Sequence, residues 1–317
     1  MKSPGFLALI PLVLFAACST PAARAAWVRD DISLAWRDGT NVVWRFSFDP
    51  NKGKPFFHPL TVAGSPSLTN FKPEDHPWHY GLWFSWKYIN PEDSTNHINY
   101  WEEDRTTGLA QGKTLWDAPV IETASDGSAT IRLQLRYVAP GNHVDVTESR
   151  TIKVTAPGPD GSYSIHWTAH FVVGDRAVVF DRTPLLGEPD GKVNGGYAGL
   201  AFRMAGQPLN VSMLTTAGPV AKFESDRARP NAAATAFNFL DGKRVVGGVA
   251  IIPEAPGADQ NSPWYLINNA TFRFACAAIL APKPIRRAAG EQFDLNYTVV
   301  VRANAWTVPD LQSVARK

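Results

Sequence analysis

Apolar residues along this chain alternate with polar ones in stretch after stretch. Ile32, Leu34 and Trp36 form one series, and Val42, Trp44, Phe46 and Phe48 a second. Ile131, Leu133, Leu135 and Tyr137 form a third, and Phe293, Leu295, Tyr297, Val299 and Val301 a fourth. A period of two marks a strand with one buried face, because successive side chains leave a pleated backbone on opposite sides. No segment carries a comparably long helical period. Asp-Gly pairs at 38–39, 126–127, 160–161 and 241–242 punctuate the series, and such pairs tolerate the positive φ of tight hairpins. The pattern predicts an all-β protein, and the lack of an internal repeat favours one large antiparallel β-sandwich over a propeller or solenoid. Residues 49–80, 87–116, 184–196 and 253–264, rich in Pro, Gly, Asn and charge, are expected to be long loops walling one face of it.

Residues 1–25 read as a secretory signal, with Lys2, the apolar run FLALIPLVLFAA and then small residues. Ala23-Arg24-Ala25 offers a cleavage site, and Phe15-Ala16-Ala17-Cys18 resembles a lipobox that would lipidate Cys18. Residues 26–317 are then expected to form a single domain, periplasmic or tethered by lipid to the outer membrane. No later run approaches the roughly 20 apolar residues of a membrane span. Without residues 1–25 the 31 basic side chains lose Lys2 and Arg24 and equal the 29 acidic ones. A balanced chain has no field to draw phosphate backbones, so nucleic acid is not an expected partner. Cys276, in FRFACAAIL, reads as a small apolar core residue.

Chemistry concentrates in DHPWHYGLWFSW, Asp75 to Trp86, and its surroundings. Four of the seven histidines, His58, His76, His79 and His97, fall within forty residues beside Trp78, Tyr80, Trp83, Tyr100 and Trp101. Aromatic faces next to polar groups are how proteins hold pyranose rings, so the expected partner is a carbohydrate. Alternation from Gly81 sends Leu82 and Phe84 into the core and leaves Trp83 on the other face as a ring platform or pocket wall. His79 shares the parity of Trp83. His79 is the leading general acid or base, with His76 as a further candidate and Glu102 or Glu103 of YWEED as the opposing carboxylate; the sequence does not separate the two glutamates. His58, Trp83, Trp101, Asp181, Arg182, Tyr197 and Arg203 are candidate substrate contacts. His166 and His170 alternate away from an apolar set and are expected on a solvated sheet back. No metal or cofactor is expected. Zinc held by His58, His76 and His79 is the alternative, and it needs the chain to turn at Pro77 for His76 and His79 to converge.

No Gly-x-Ser-x-Gly elbow, phosphate loop or cysteine-histidine pairing is present, which disfavours serine hydrolase, nucleotide and thiol chemistry. PFFHPL (Pro55–Leu60), DHPWHYGLWFSW, NYWEE (Asn99–Glu103), GGYAGLAFR (Gly195–Arg203) and GEQFDLNYTVVVR resemble a bacterial family labelled "PmoA family" or "methane oxygenase PmoA", exported proteins found beside carbohydrate-degradation genes. Trp78 stands where the family motif places the first of two histidines; His79 keeps its place. The membrane methane monooxygenase subunit of that name spans the bilayer several times, and this chain has no span. The resemblance therefore implies an exported β-sandwich similar to the galactose-mutarotase-like supersandwich of several sugar epimerases and lyases. The expected function is a carbohydrate-active enzyme acting on a pyranoside, first by glycosidic-bond cleavage, as hydrolase or lyase. A mutarotase or epimerase and a non-catalytic sugar-binding protein are the rivals.

Overall fold

The computed structural model describes Met1 and residues 25–316 apart from Ala63, Thr95 and residues 255–261. The expected signal with Cys18, and most of the 253–264 loop, lie outside the described residues. Among them two ten-stranded antiparallel sheets and a three-stranded one make an all-β sandwich. One sheet, which carries the candidate site, runs Ala26–Arg29, Ser33–Asp38, Asn41–Ser47, Phe56–Leu60, Leu82–Ser85, Gly199–Arg203, Arg273–Ala277, Ser262–Asn268 and Arg227–Ala228, with Asn231–Ala232 also on Ser262–Asn268. The other centres on the long strands Arg244–Glu254, Gln292–Arg302, Tyr163–Val173, Val144–Val154 and Ala129–Val138. Ile285–Arg287, Val178–Asp181 and Tyr88–Pro91 form the small sheet.

The alternating series do what their period requires. Ile131, Leu133, Leu135 and Tyr137 are all buried, and they meet Trp44, Phe46, Leu82 and Phe84 from the facing sheet in one continuous core. Each fully buried Phe or Leu of this kind contributes about 1.5–3 kcal/mol. Ile32 departs from the series at 43% exposed, because its strand begins only at Ser33. The Asp-Gly turns take the predicted geometry, with Gly39, Gly127, Gly161 and Gly242 all at positive φ. On the back of the second sheet His166 bonds Thr298 and His170 bonds Asp294, cross-strand pairs that face solvent.

Several elements were not legible in the alternation. Phe56–Leu60 is a strand inside the expected 49–80 loop, and Tyr88–Pro91 and Lys113–Trp116 are strands inside 87–116. The helix Val308–Ala315 is closed by a Thr307/Asp310 capping box and anchored by buried Leu311. Its signal is local, a Thr followed by Pro and Asp, and needs no long apolar period.

Candidate functional site

The site grows from the outer face of the first sheet. Strand register sets Phe56, Trp83, Ala201, Cys276 and Tyr265 side by side in one row across it. Two residues further along runs a second row, Arg203, Phe274, Ile267 and Arg227. Small Ala201 and Cys276 between bulky Trp83 and Tyr265 leave space above the sheet, and loop rings of Trp101 and Tyr197 fold into it. Trp83 and Leu82 thus go to opposite sides, Leu82 and Phe84 into the inter-sheet core and Trp83 into this second cluster.

Gly81 makes the entry into that strand possible. It sits at φ +71°, and a β-carbon there would lie 2.3 Å from the Phe57 carbonyl oxygen. Upstream, the chain turns at Pro77 and Trp78, and the His79 amide closes the turn on the His76 carbonyl. The turn brings the two imidazoles into a stack, centroids 4.6 Å apart. Phe272 stacks on His76 at 4.6 Å, and Phe274 on His79 at 5.1 Å. Asp75 accepts from His76 Nδ1 at 3.0 Å and pairs with Arg203 at 2.9 Å, so a chain of Arg203, Asp75 and His76 sets the ring orientation. Arg105 braces the same loop by donating to the Glu74 and Asp75 carbonyls.

The YWEED segment is held by Asn99, whose side-chain oxygen accepts the backbone amides of Trp101 and Glu102. Glu102 then points to the pocket, and its carboxylate accepts from Lys87 at 2.9 Å, the Tyr197 hydroxyl at 2.7 Å and Asn99 Nδ2 at 3.0 Å. Burial pushes this carboxyl up, but the Lys87 charge and these hydrogen bonds outweigh it and hold it below its ordinary value. Burial depresses the Lys87 ammonium in turn, against the pull of Glu102. His79 is only 3% exposed; burial, helped by His76, Arg203 and Lys54, drives its pKa well down, and its Nδ1 is buried without a partner. His79 is therefore a neutral imidazole at pH 7. Burial also lowers His76, which Asp75 and more weakly Glu102 pull back.

These groups enclose a cavity of about 160 Å³ lined by His76, Trp78, His79, Trp101, Glu102, Asn194, Tyr197, Arg227, Tyr265, Ile267, Phe272 and Phe274. An engineered apolar cavity of about 150 Å³ takes one benzene ring, so this one has room for a single six-membered ring. Four of the sequence candidates line it: His76, His79, Trp101 and Glu102, with Tyr197 as a fifth. Trp83 is fully buried and supports His79 from beneath at 5.0 Å instead of forming a wall. Arg203 acts through Asp75, not on the cavity.

Other candidates fall elsewhere. Glu103 is 5% exposed and clamped by Lys54 at 2.9 Å and by the Tyr80 hydroxyl at 2.6 Å. His58 bonds Thr69 at 2.8 Å on the strand Phe56–Leu60, away from the lining, and burial lowers its pKa to about 4. Asp181 accepts its neighbour's amide, and Arg182 pairs with Glu188 at 2.6 Å and bonds the Leu280 carbonyl, so it braces the 185–188 turn. Among the described residues no three His, Cys, Asp or Glu side chains gather as a metal-holding group. The zinc alternative fails on geometry, since His76 and His79 meet face to face and His58 stands apart. Lys87, Arg227, Tyr265, Phe272 and Phe274 escaped the sequence reading. Only Lys87 carried a signal, a lone cation in an aromatic strand run.

No curated protein matches the chain in sequence. Among solved structures it is similar to the α-galactosidase of Lactobacillus brevis, with 8% identity and a TM-score of 0.45 over 90% of this chain. It is also similar to the GH36 α-galactosidase AgaB of Geobacillus stearothermophilus, with 8% identity and a TM-score of 0.49 over 89% of this chain. The chain spans 40% and 41% of those two proteins. A galactose mutarotase related enzyme of Lactobacillus acidophilus matches over 89% of this chain and 100% of its own, with 7% identity and a TM-score of 0.38. The DUF6807 model, described as a family of unknown function, matches residues 34–316, and the protein belongs to that family.

Proposed function

We propose that the protein binds one pyranose ring and moves protons at its hemiacetal carbon, interconverting the anomers of a free sugar outside the cytoplasm. One observation carries this reading: among the residues lining the ring-sized cavity Glu102 is the sole carboxylate, held ionised by Lys87, Tyr197 and Asn99. Hydrolysis by paired carboxylates needs two across the scissile bond, and Glu103 is spent on Lys54 and Tyr80. Glu102 takes the proton of the anomeric hydroxyl, the freed pair forms C1=O1, and the bond from C1 to the ring oxygen breaks. The ring oxygen receives its proton from the imidazolium of His76. Rotation about C1–C2 and the reverse steps close the other anomer and restore both groups.

Ionised Glu102 and protonated His76 are both required, and both groups titrate below their ordinary values. The rate is expected to be bell-shaped with an optimum on the acid side of neutrality. Polarimetry and NMR exchange on glucose, galactose, their pentose analogues and their uronic acids test it. Interconversion no faster than the spontaneous rate for every sugar overturns the reading. A second reading, cleavage of a glycosidic bond, draws on one feature: an open groove of about 740 Å³ shares Arg227 with the cavity and could hold a chain attached to the ring. Reducing ends released from an oligosaccharide would establish it, and binding without turnover would establish a binding protein.

A further inference from the structure

The second row on this sheet face places apolar Phe274 and Ile267 between two arginines, Arg203 and Arg227. Their charges are treated differently. Arg203 is paired with Asp75 at 2.9 Å. Arg227 lines the cavity, yet among the described residues no carboxylate pairs with it. Its Nε donates to the Tyr265 hydroxyl at 3.0 Å and its Nη1 to the Ser225 carbonyl at 2.6 Å, which fixes the plane of the guanidinium. Nη2 has no hydrogen-bond partner among the described residues. Neighbouring cations are otherwise engaged: Arg229 donates to the Val193 and Gly195 carbonyls and lies over the Tyr265 ring, and Lys222 pairs with Glu224.

Resting on the pyranose reading of the cavity, we infer that the sugar bound here carries a carboxylate, as a hexuronic acid does, and that Arg227 receives it. An oriented guanidinium with a free donor matches a carboxylate in geometry and charge. Glu102 and Arg227 line the same cavity with opposite charges. Repulsion by Glu102 and attraction by Arg227 then fix the orientation, with the acid group at Arg227 and the neutral hemiacetal left to Glu102. A neutral hexose would leave the Arg227 charge facing the ring without a partner.

Isothermal titration of the protein with D-galacturonate and D-glucuronate against D-galactose and D-glucose reads this directly. At least one uronate is expected to bind roughly tenfold or more tightly than its neutral parent. In Arg227→Met that ratio should fall to about one, and in Arg227→Lys, which keeps the charge without the fork, to an intermediate value. A ratio near one in the unaltered protein, or a ratio that survives Arg227→Met, overturns the inference and leaves the pyranose reading intact. Preference for a hexose 6-phosphate over both uronates also overturns it, assigning the cation to phosphate. If none of these sugars binds, the pyranose reading fails and this inference falls with it. Should Arg227→Met not fold, the unaltered protein and Arg227→Lys still decide.

Discussion

Glu102 and Glu103 are neighbours in sequence and are gripped by the same chemistry. Each accepts from a buried lysine at 2.9 Å, Lys87 for one and Lys54 for the other, and each accepts a tyrosine hydroxyl, from Tyr197 or Tyr80. The surroundings differ. The Glu103 side chain is 3% exposed and meets Gly53, where a β-carbon would lie 2.3 Å from its Oε1, so the clamp is closed on every side. The Glu102 side chain is 38% exposed and opens on the cavity. A lysine and a tyrosine around a carboxylate therefore do not by themselves make a site. An open side does, because only there can the charge act on something other than its own clamp.

The comparison breaks most sharply on neutralising each glutamate in turn. Glu102→Gln should lower anomer interconversion by about 10²–10⁴-fold. It also strips buried Lys87 of its counter-charge, but beside the open cavity, so melting should shift less than in the Glu103 variant. Glu103→Gln leaves Lys54 buried without its counter-charge, which costs about 3–5 kcal/mol and on the order of 10 °C in Tm, with turnover retained by the folded fraction. Melting curves and initial rates on the two variants decide it. Loss of rate in Glu103→Gln at full stability would reverse the assignment of the open and closed clamps.

A smaller effect is expected at His79. Parity places its ring on the pocket side with Trp83, and the structure agrees, but the ring is also packed within 6 Å of His76, Trp83, Phe272 and Phe274. His79→Ala therefore opens a cavity and should cost on the order of 2–3 kcal/mol in urea denaturation, less than the 3–5 kcal/mol of Phe84→Ala in the inter-sheet core. If His79→Ala melts like the unaltered protein, the ring is not part of the stack.

How much of this was legible from the chain follows from the range of each interaction. Alternation is local, so the strands of the long alternating series, the inward side of Leu82 and Phe84, and the solvated His166 and His170 could be read residue by residue. The cluster Asp75–Trp86 also advertised itself by composition. The other half of the cavity is brought in by register between strands far apart in sequence, Trp83 to Ala201 and Ala201 to Cys276. Nothing near Tyr265, Phe272 or Arg227 announces that partner. The two glutamates were inseparable for the same reason: what distinguishes them is whether Gly53 and Lys54 or the cavity lies over the carboxylate. Asp181 and Arg182 looked like a gripping pair because adjacent residues share a neighbourhood, yet a strand end sends Arg182 to Glu188 instead.

Removing one hydroxyl from each clamp sharpens the comparison further. Tyr197 helps hold the Glu102 carboxyl low, so Tyr197→Phe raises its pKa and moves the acid limb of the rate profile to higher pH. Tyr80→Phe should leave that limb in place and cost about 1.5–3 kcal/mol of stability, the usual worth of a hydrogen bond to a charged group. An unmoved acid limb in Tyr197→Phe would mean that the limb belongs to another group.

The smallest effect per step is a pH dependence of stability, and its sign follows from the histidines. His58, at about 4, and His76 and His79 all have folded pKa values below the ordinary 6.5, each with burial as the first cause. Below pH 6.5 the unfolded chain takes up protons that the folded one refuses, so stability is full above that value and falls as the pH drops toward the folded pKa. The slope is up to about 1.4 kcal/mol per pH unit for each histidine. Urea midpoints at pH 7.5, 6 and 5 should decline steadily. His58→Gln removes the contribution of a ring that lies outside the cavity, so it should flatten the slope between pH 6.5 and about 4 by one histidine's share while leaving the rate profile unchanged. A flat midpoint in the unaltered protein would mean that these imidazoles gain protons in the folded state. His79 would then be able to act as an acid beside Glu102.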